Sequence, residues 1–398
     1  MADEESLTQA EPAQQEEHAP GVRSLRELID RVTGKDLQLD QGEVDSGIAE
    51  VLPFPFLSLV GQQEMKLALV LALINPAVGG VLLIGPRGTG KTTAVRGLVE
   101  LLPEVPRSLC YYGCMPEDVE AGGIDAVCPD CARKYAEGQP LSRMDRVRLV
   151  ELPLNARLED VVGGVDERAA LHERVRIRRG ILGQADLNLL YVDEVNLLSD
   201  EIVDAILDAA AQGSYIVRRG PVSATYRSRF GLIGSMNPEE GKLRPQILDR
   251  FGLRVLVGGL EDPTERLDAY RRVRAFQNNP HRMVSQYTWE TDLARDEIQA
   301  ASDLLPEVDL SDEVASLGLE FIRKLKIDSL RAEISLFESS RAYAAAEGRT
   351  QVELDDLRQV SQMALRLRRS VFMTDYLANQ KTEENEIVAL MDEVLTKS

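Results

Sequence analysis

The chain has 398 residues, 44% hydrophobic and 28% charged, with a formal net charge of -20 at pH 7. That length exceeds what one compact core usually holds and predicts two or three domains. The acidic balance excludes nucleic acid as the main partner, since phosphate contacts need basic surface. No run of eighteen apolar residues predicts a membrane span.

The first stretch, "MADEESLTQAEPAQQEEHAP", has neither a basic n-region nor an apolar h-region, so no secretory signal is expected and the protein is placed in the cytoplasm. Its Ala-, Gln- and Glu-rich composition predicts a disordered or weakly structured extension over residues 1–50. From Pro53 the texture changes. "FPFLSLVGQQEMKLALVLALINP" reads as a loop followed by an apolar helix that ends before Pro76. "GGVLLIG" reads as a buried strand, continuously apolar and bounded by glycines.

"VRLVELPL" and "LNLLYVDEVNLLS" read as further strands, the second ending in two acids. "DEIVDAILDAAAQG" has helical apolar spacing and stops at Gly213. "YIVRRGPVSATYRSR" predicts a hairpin around Gly220-Pro221, and "FGLIGSMN" a fourth strand. Strands alternating with helices predict an α/β fold with a three-layer parallel sheet. After about residue 260 the period becomes helical, so a core over 51–260 and an all-α domain over 261–398 are expected. "HRMVSQYTWETDLARDEIQ" reads as a linker plus a helix.

Two motifs carry chemistry. "GPRGTGKT", Gly85 to Thr92, fits G-x-x-x-x-G-K-[ST] between a strand and a helix. Its glycines let consecutive backbone N–H groups turn inward around anionic oxygens, and the helix start adds a positive dipole end. Gly85, Pro86, Arg87, Gly88, Thr89, Gly90, Lys91, Thr92 and the following Thr93 are therefore candidate nucleotide-binding residues. Lys91 would reach the β- and γ-phosphates, and the Thr92 hydroxyl would serve Mg²⁺. About a hundred residues on, "LLYVDE" sets Asp193 and Glu194 at a strand end. Asp193 is the candidate Mg²⁺ ligand and Glu194 the group that orients attacking water.

All four cysteines fall between residues 110 and 131, as "CYYGC" and "CPDC". Cys110, Cys114, Cys128 and Cys131 have the spacing of a four-thiolate structural zinc site on a peripheral insertion over 108–133. An iron–sulfur cluster and metal-free or redox-switched thiols remain open.

With these residues in view the chain resembles the AAA+ ATPases, and within them the chelatase and MoxR-like branch that includes the small ATPase subunit of magnesium chelatase. "LVGQQEMKLAL", "GGVLLIGPRGTGKTT", "ELPLNARLEDVVGGVD", "LLYVDEVNLLSDEIVDAILDAAAQG" and "GSMNPEEGKLRPQILDRFGL" carry the resemblance. It implies an AAA+ core with a helical lid, and a homo-oligomeric ring, usually a hexamer. The ring would work with a second AAA+ subunit bearing an integrin-like domain and a large porphyrin-binding subunit. Its implied activity is ATP hydrolysis that drives Mg²⁺ insertion into protoporphyrin IX for (bacterio)chlorophyll synthesis. By position, Asn237 resembles the sensor of the γ-phosphate and Arg250 the arginine finger reaching a neighbouring subunit. Arg331 resembles the second sensor arginine, expected at its own subunit's nucleotide. A cobalt-chelatase or MoxR-type chaperone and an MCM-like nucleic-acid remodeller are the alternatives. The run "RVRIRRG" is more basic than the family's usual approach to that strand.

Overall fold

The computed structural model describes residues 52–110, 113–165, 177–219, 222–241 and 243–369. The expected N-terminal extension, the hairpin tip at 220–221 and the first three residues of the basic run at 174–180 lie outside these residues. Among the described residues the strands are β1 (Val81–Ile84), β2 (Glu104–Ser108), β3 (Ser142–Arg146), β4 (Leu149–Leu152), β5 (Gly163–Val165), β6 (Ile177–Arg179), β7 (Leu189–Val192), β8 (Ser214–Arg219), β9 (Val222–Arg227), β10 (Gly231–Met236) and β11 (Leu253–Leu256).

Five of these strands form one sheet in the order β11-β1-β10-β7-β4, with every neighbouring pair parallel. A parallel sheet needs cover on both faces, and β1 and β7 are buried at every residue. The period of two decides which cover each residue meets. Val81 and Leu83 join a core shared with the Gln63–Ile74 helix and with Ala332, Leu336, Val360 and Met363 of two C-terminal helices. Leu82 and Ile84 join the opposite core with Ile202, Val203 and Ile206 of the Asp200–Gln212 helix. Three layers follow from that alternation.

The C-terminal helices from Pro280–Leu304 through Leu354–Leu365 therefore complete one face of the sheet. Burying a Leu, Val or Met side chain contributes roughly 1.5–3 kcal/mol. A partly exposed ion pair such as Glu64–Arg366, 2.7 Å apart, contributes about 0–1 kcal/mol. Apolar packing, rather than charge pairing, holds these helices against the core.

Three features differ from the sequence expectation. The fifth strand, β11, is interrupted by the fully buried Arg254, whose charge hides an otherwise apolar run. Burial pushes that guanidinium down to about 9, with the Arg368 charge adding to the shift; its Nη1 donates to the Arg366 carbonyl at 2.7 Å. The cysteine stretch hangs between β2 and β3, an antiparallel ribbon whose polar residues and Pro106 gave no strand signal. The stretch read as linker plus helix is one helix, Pro280–Leu304. There the Asn279 side chain accepts from the Arg282 N–H and Pro280 opens the first turn, so the helix starts ahead of His281 and leaves no room for a linker.

Candidate functional site

Because the sheet is parallel, its carboxyl ends gather on one edge, where open α/β sheets bind ligands. Register aligns Ile84 of β1 with Met236 of β10, and Gly234 of β10 with Val192 of β7. The residues that follow these strands are the phosphate loop, Asn237, and the Asp193-Glu194 pair. They meet around a cavity of about 190 Å³ lined by Arg87 to Thr93, Asp193, Glu194, Ser235, Met236 and Asn237. Gly85 and Pro86 stand at its base as acceptors, their carbonyls taking hydrogen bonds from Lys91 Nζ at 2.7 and 2.8 Å.

The loop's shape depends on glycine at two points. Gly88 and Gly90 have φ of 78° and 87°, a region that costs other residues strain. Gly90 turns directly into the Lys91–Gly97 helix, leaving the first N–H groups of that helix without intrahelical partners. Lys91 is buried; desolvation lowers its ammonium below the usual lysine range, against the pull of Asp193, Glu194 and Glu240. The site thus holds a partly dehydrated cation beside unpaired amides, which suits an oligophosphate.

The acids are held from behind. Asp193 Oδ1 accepts from the Tyr191 hydroxyl at 2.8 Å and from the Ser235 hydroxyl. Glu194 sits in the left-handed region, φ 48° and ψ 53°, a strained conformation for a non-glycine residue. Its N–H donates to Ser235 Oγ at 3.1 Å. Arg87 reaches Glu194 at 3.3 Å and Glu240 at 2.5 Å; its hydrogen bond to Glu240, first of all, raises its pKa. Asn237 Nδ2 donates to the same Glu240 at 3.1 Å. Glu240 therefore ties Arg87 to Asn237, a link that sequence reading passed over although it stands three residues after Asn237.

Arg250 and Arg331 are not in this group. They line a second cavity of about 280 Å³ with Gly79, Gly80, Asp249 and Gly252. Gly79 and Gly80 precede β1 whereas the phosphate loop follows it, so the two cavities lie at opposite edges of the sheet. Four strand residues separate them by roughly 13 Å. Arg250 donates to Asp208 at 2.6 Å, and Arg331 lies 3.5 Å from Asp249. The expectation that Arg331 serves its own subunit's nucleotide is corrected here. The Leu330–Ala346 helix packs on the Gln63–Ile74 helix and the Pro76–Val78 turn, which fixes its first turn at the amino edge. Asp249 also takes Ser329 Oγ at 2.8 Å and Arg368 Nη1 at 2.9 Å, binding the helical region to the Pro245–Arg250 helix.

The four cysteines converge. Their sulfurs all lie within 4.8 Å of one another, and Cys110 Sγ and Cys128 Sγ are 3.8 Å apart. A tetrahedron with metal–sulfur bonds of about 2.3 Å has edges of about 3.8 Å. Val119, Val127 and Leu141 pack around the cluster, and desolvation pushes the Cys114 thiol up to about 11. Arg227 of β9 holds this segment through Asp118 and the Gly113 carbonyl, the latter at 3.3 Å.

A cleft of about 430 Å³ beside the loop escaped the sequence reading. It shares Gly88, Thr89, Gly90 and Thr93 with the phosphate cavity and extends to Val60 and Leu260. The signal was the apolar-then-polar "LVGQQ" ahead of the first helix.

The chain is 42% identical over 83% of its length to the Magnesium-chelatase subunit ChlI homolog of Methanocaldococcus jannaschii, covering 90% of that protein. It is 40% identical over 79% of its length to Magnesium-chelatase subunit ChlI of a Nostoc species, covering 84% of it. The chain belongs to the magnesium-chelatase ATPase-subunit family. The AAA lid domain matches residues 322–389. Among solved structures, one chain of a cryo-EM-based complex between subunits BchI and BchD of magnesium chelatase is 38% identical over 81% of this chain and 97% of that one, with a TM-score of 0.45. A member of this family is an AAA+ protein with a parallel-sheet core and a helical C-terminal region. No helix among the described residues is long and apolar enough to cross a membrane.

Proposed function

We propose that the protein is the ATP-hydrolysing motor subunit of a magnesium chelatase. In this reading a ring, six subunits as the family resemblance implies, couples ATP hydrolysis to Mg²⁺ insertion into protoporphyrin IX in (bacterio)chlorophyll synthesis. Its partners are a second AAA+ subunit with an integrin-like domain and a large porphyrin-binding subunit, all in the cytoplasm. Residues 51–260 act as the nucleotide-binding core and 261–398 as the lid. The observation that carries the reading is the meeting of the glycine loop with Asp193, Glu194 and Asn237 around one cavity, while Arg250 stands at the opposite edge.

The loop N–H groups and Lys91 bind the phosphates, and the neighbouring cleft takes the base and ribose. Mg²⁺ suits the oxygen donors Thr92 and Asp193 and neutralises charge on the phosphates when bound. Glu194 orients and polarises water toward the γ-phosphate, which Asn237 engages. Arrival of triphosphate gives Arg87 a stronger anionic partner than Glu194, freeing that carboxylate for water. Arg250, and with it Arg331, serves the nucleotide of the adjacent subunit, since both stand at the edge remote from their own loop. The four cysteines hold a structural Zn²⁺, whose charge offsets the desolvation that keeps the thiols protonated.

Reconstitution tests the reading. The purified subunit, with active partner subunits, should support Mg²⁺ insertion in an ATP-dependent way. No insertion, where an established family member succeeds under the same conditions, would remove the assignment. A metal-insertion or maturation chaperone of the same motor class is the second reading. It is favoured by the name of the 42% identical relative, which reads only as a homolog of the chelatase subunit. Co²⁺ insertion without Mg²⁺ insertion would select it. Arg227 of the β8–β9 hairpin is engaged by Asp118, and the adjoining Arg229 by Asp186, rather than standing free for phosphate.

A further inference from the structure

The metal-binding hydroxyl and carboxylate are joined by a third side chain. Tyr191 precedes Asp193 by two residues on the same strand line, so both side chains face the Lys91–Gly97 helix. The tyrosyl oxygen lies 2.8 Å from Asp193 Oδ1 and 3.1 Å from Thr92 Oγ1. Tyr191 is 1% exposed. A phenylalanine would fill the same space without burying a hydroxyl, whose desolvation must be offset by its partners.

We propose that the Tyr191 hydroxyl is a positioning group for Mg²⁺, relaying a hydrogen bond from Thr92 to Asp193; this rests on the nucleotide-site reading above. A phenol has one hydrogen. A carboxylate only accepts, so that hydrogen goes to Asp193, and Thr92 must donate to the tyrosyl oxygen. The direction matters. A threonine that ligates a cation offers a lone pair, so its hydrogen has to point elsewhere, and Tyr191 provides the place. Ser235 donates to the same carboxylate oxygen as Tyr191 does. Both hydrogens therefore converge on Oδ1, and Oδ2 carries no hydrogen bond among the described residues, ready for the ion or its water. The relay orders two oxygen ligands, on two different elements, before any ion arrives.

The test is nucleotide binding by the full chain, read with a fluorescent ATP analogue in EDTA and across a Mg²⁺ titration. Tyr191→Phe should bind the analogue in EDTA within about twofold of wild type, because the phosphate contacts survive. The Mg²⁺ concentration at half-maximal tightening should rise about tenfold or more, the usual effect of removing a group that orients a metal ligand. An unchanged midpoint in Tyr191→Phe would overturn the relay. So would an equal loss of affinity with and without Mg²⁺, which marks a packing role. A wild-type protein that binds no nucleotide at all would instead remove the site reading, and the relay with it.

Discussion

At the carboxyl edge of the sheet, one buried lysine and a turn of free amides stand among Asp193, Glu194 and Glu240. At the amino edge the balance reverses: Arg254, Arg331 and Arg368 all approach a single carboxylate, Asp249, next to Arg250. One edge has the candidate water-orienting acid and phosphate cradle, with Arg87 engaged by Glu194 and Glu240 as its arginine for the charge that spreads over a transferring phosphoryl group. The other has arginines in excess and no cradle. In the proposed function a single subunit carries both halves of a hydrolytic site roughly one strand length apart. Bringing them together would then require a second copy, the amino edge of one against the carboxyl edge of the next.

The sharpest way to break that comparison is to disable the edges separately. Arg250→Ala should lower ATP turnover by about 10³-fold or more, the range for an arginine finger, while leaving nucleotide binding intact. Lys91→Ala should lose nucleotide binding. Neither variant should be active alone, yet a mixture should regain turnover at seams where the intact loop of one meets the intact arginine of the other. Measured steady-state ATP hydrolysis in mixtures checks this, and the absence of any recovery would place both edges in the service of one subunit.

A somewhat smaller loss sharpens the carboxyl edge. Glu194→Gln should bind ATP with near-normal affinity and hydrolyse it about 10²- to 10⁴-fold more slowly, the range for a lost general base. A single-turnover assay separates the two quantities; equal loss of binding and turnover would mean that Glu194 holds nucleotide rather than water.

The cysteine cluster lies at neither edge, and its loss should be felt mainly in stability. Purified protein should carry about one zinc per chain. Cys131→Ser should lose that metal and lower the melting temperature, with ATP turnover changed less than threefold, on the order of an ordinary structural contribution. Elemental analysis and a melting curve check it. Iron in place of zinc would change the metal and keep the site; neither metal in anaerobically purified protein would remove it.

Most of the site at the carboxyl edge was legible in the chain, and for a local reason. A phosphate loop is contiguous, its spacing is imposed by backbone N–H groups that must converge, and a strand's end announces which residue follows it. The cysteine spacing was legible in the same way. The contributions of Glu240 and Tyr191 were harder to see, because a glutamate after a turn and a tyrosine in a strand each have commoner explanations. The strand around Arg254 stayed hidden because a buried charge is tolerated only where distant carbonyls accept from it.

The sequence alone determined the phosphate loop, the paired acids, the alternation that yields a three-layer parallel sheet, and the helical character beyond residue 260, since each is written in neighbours or in short periods. Tertiary structure alone decided on which edge each arginine stands, for Arg331 above all. That position follows from the surface against which the Leu330–Ala346 helix buries Ala332 and Leu336. No local pattern can name that surface, because the hydrophobic effect rewards the removal of apolar area from water without specifying which distant segment covers it.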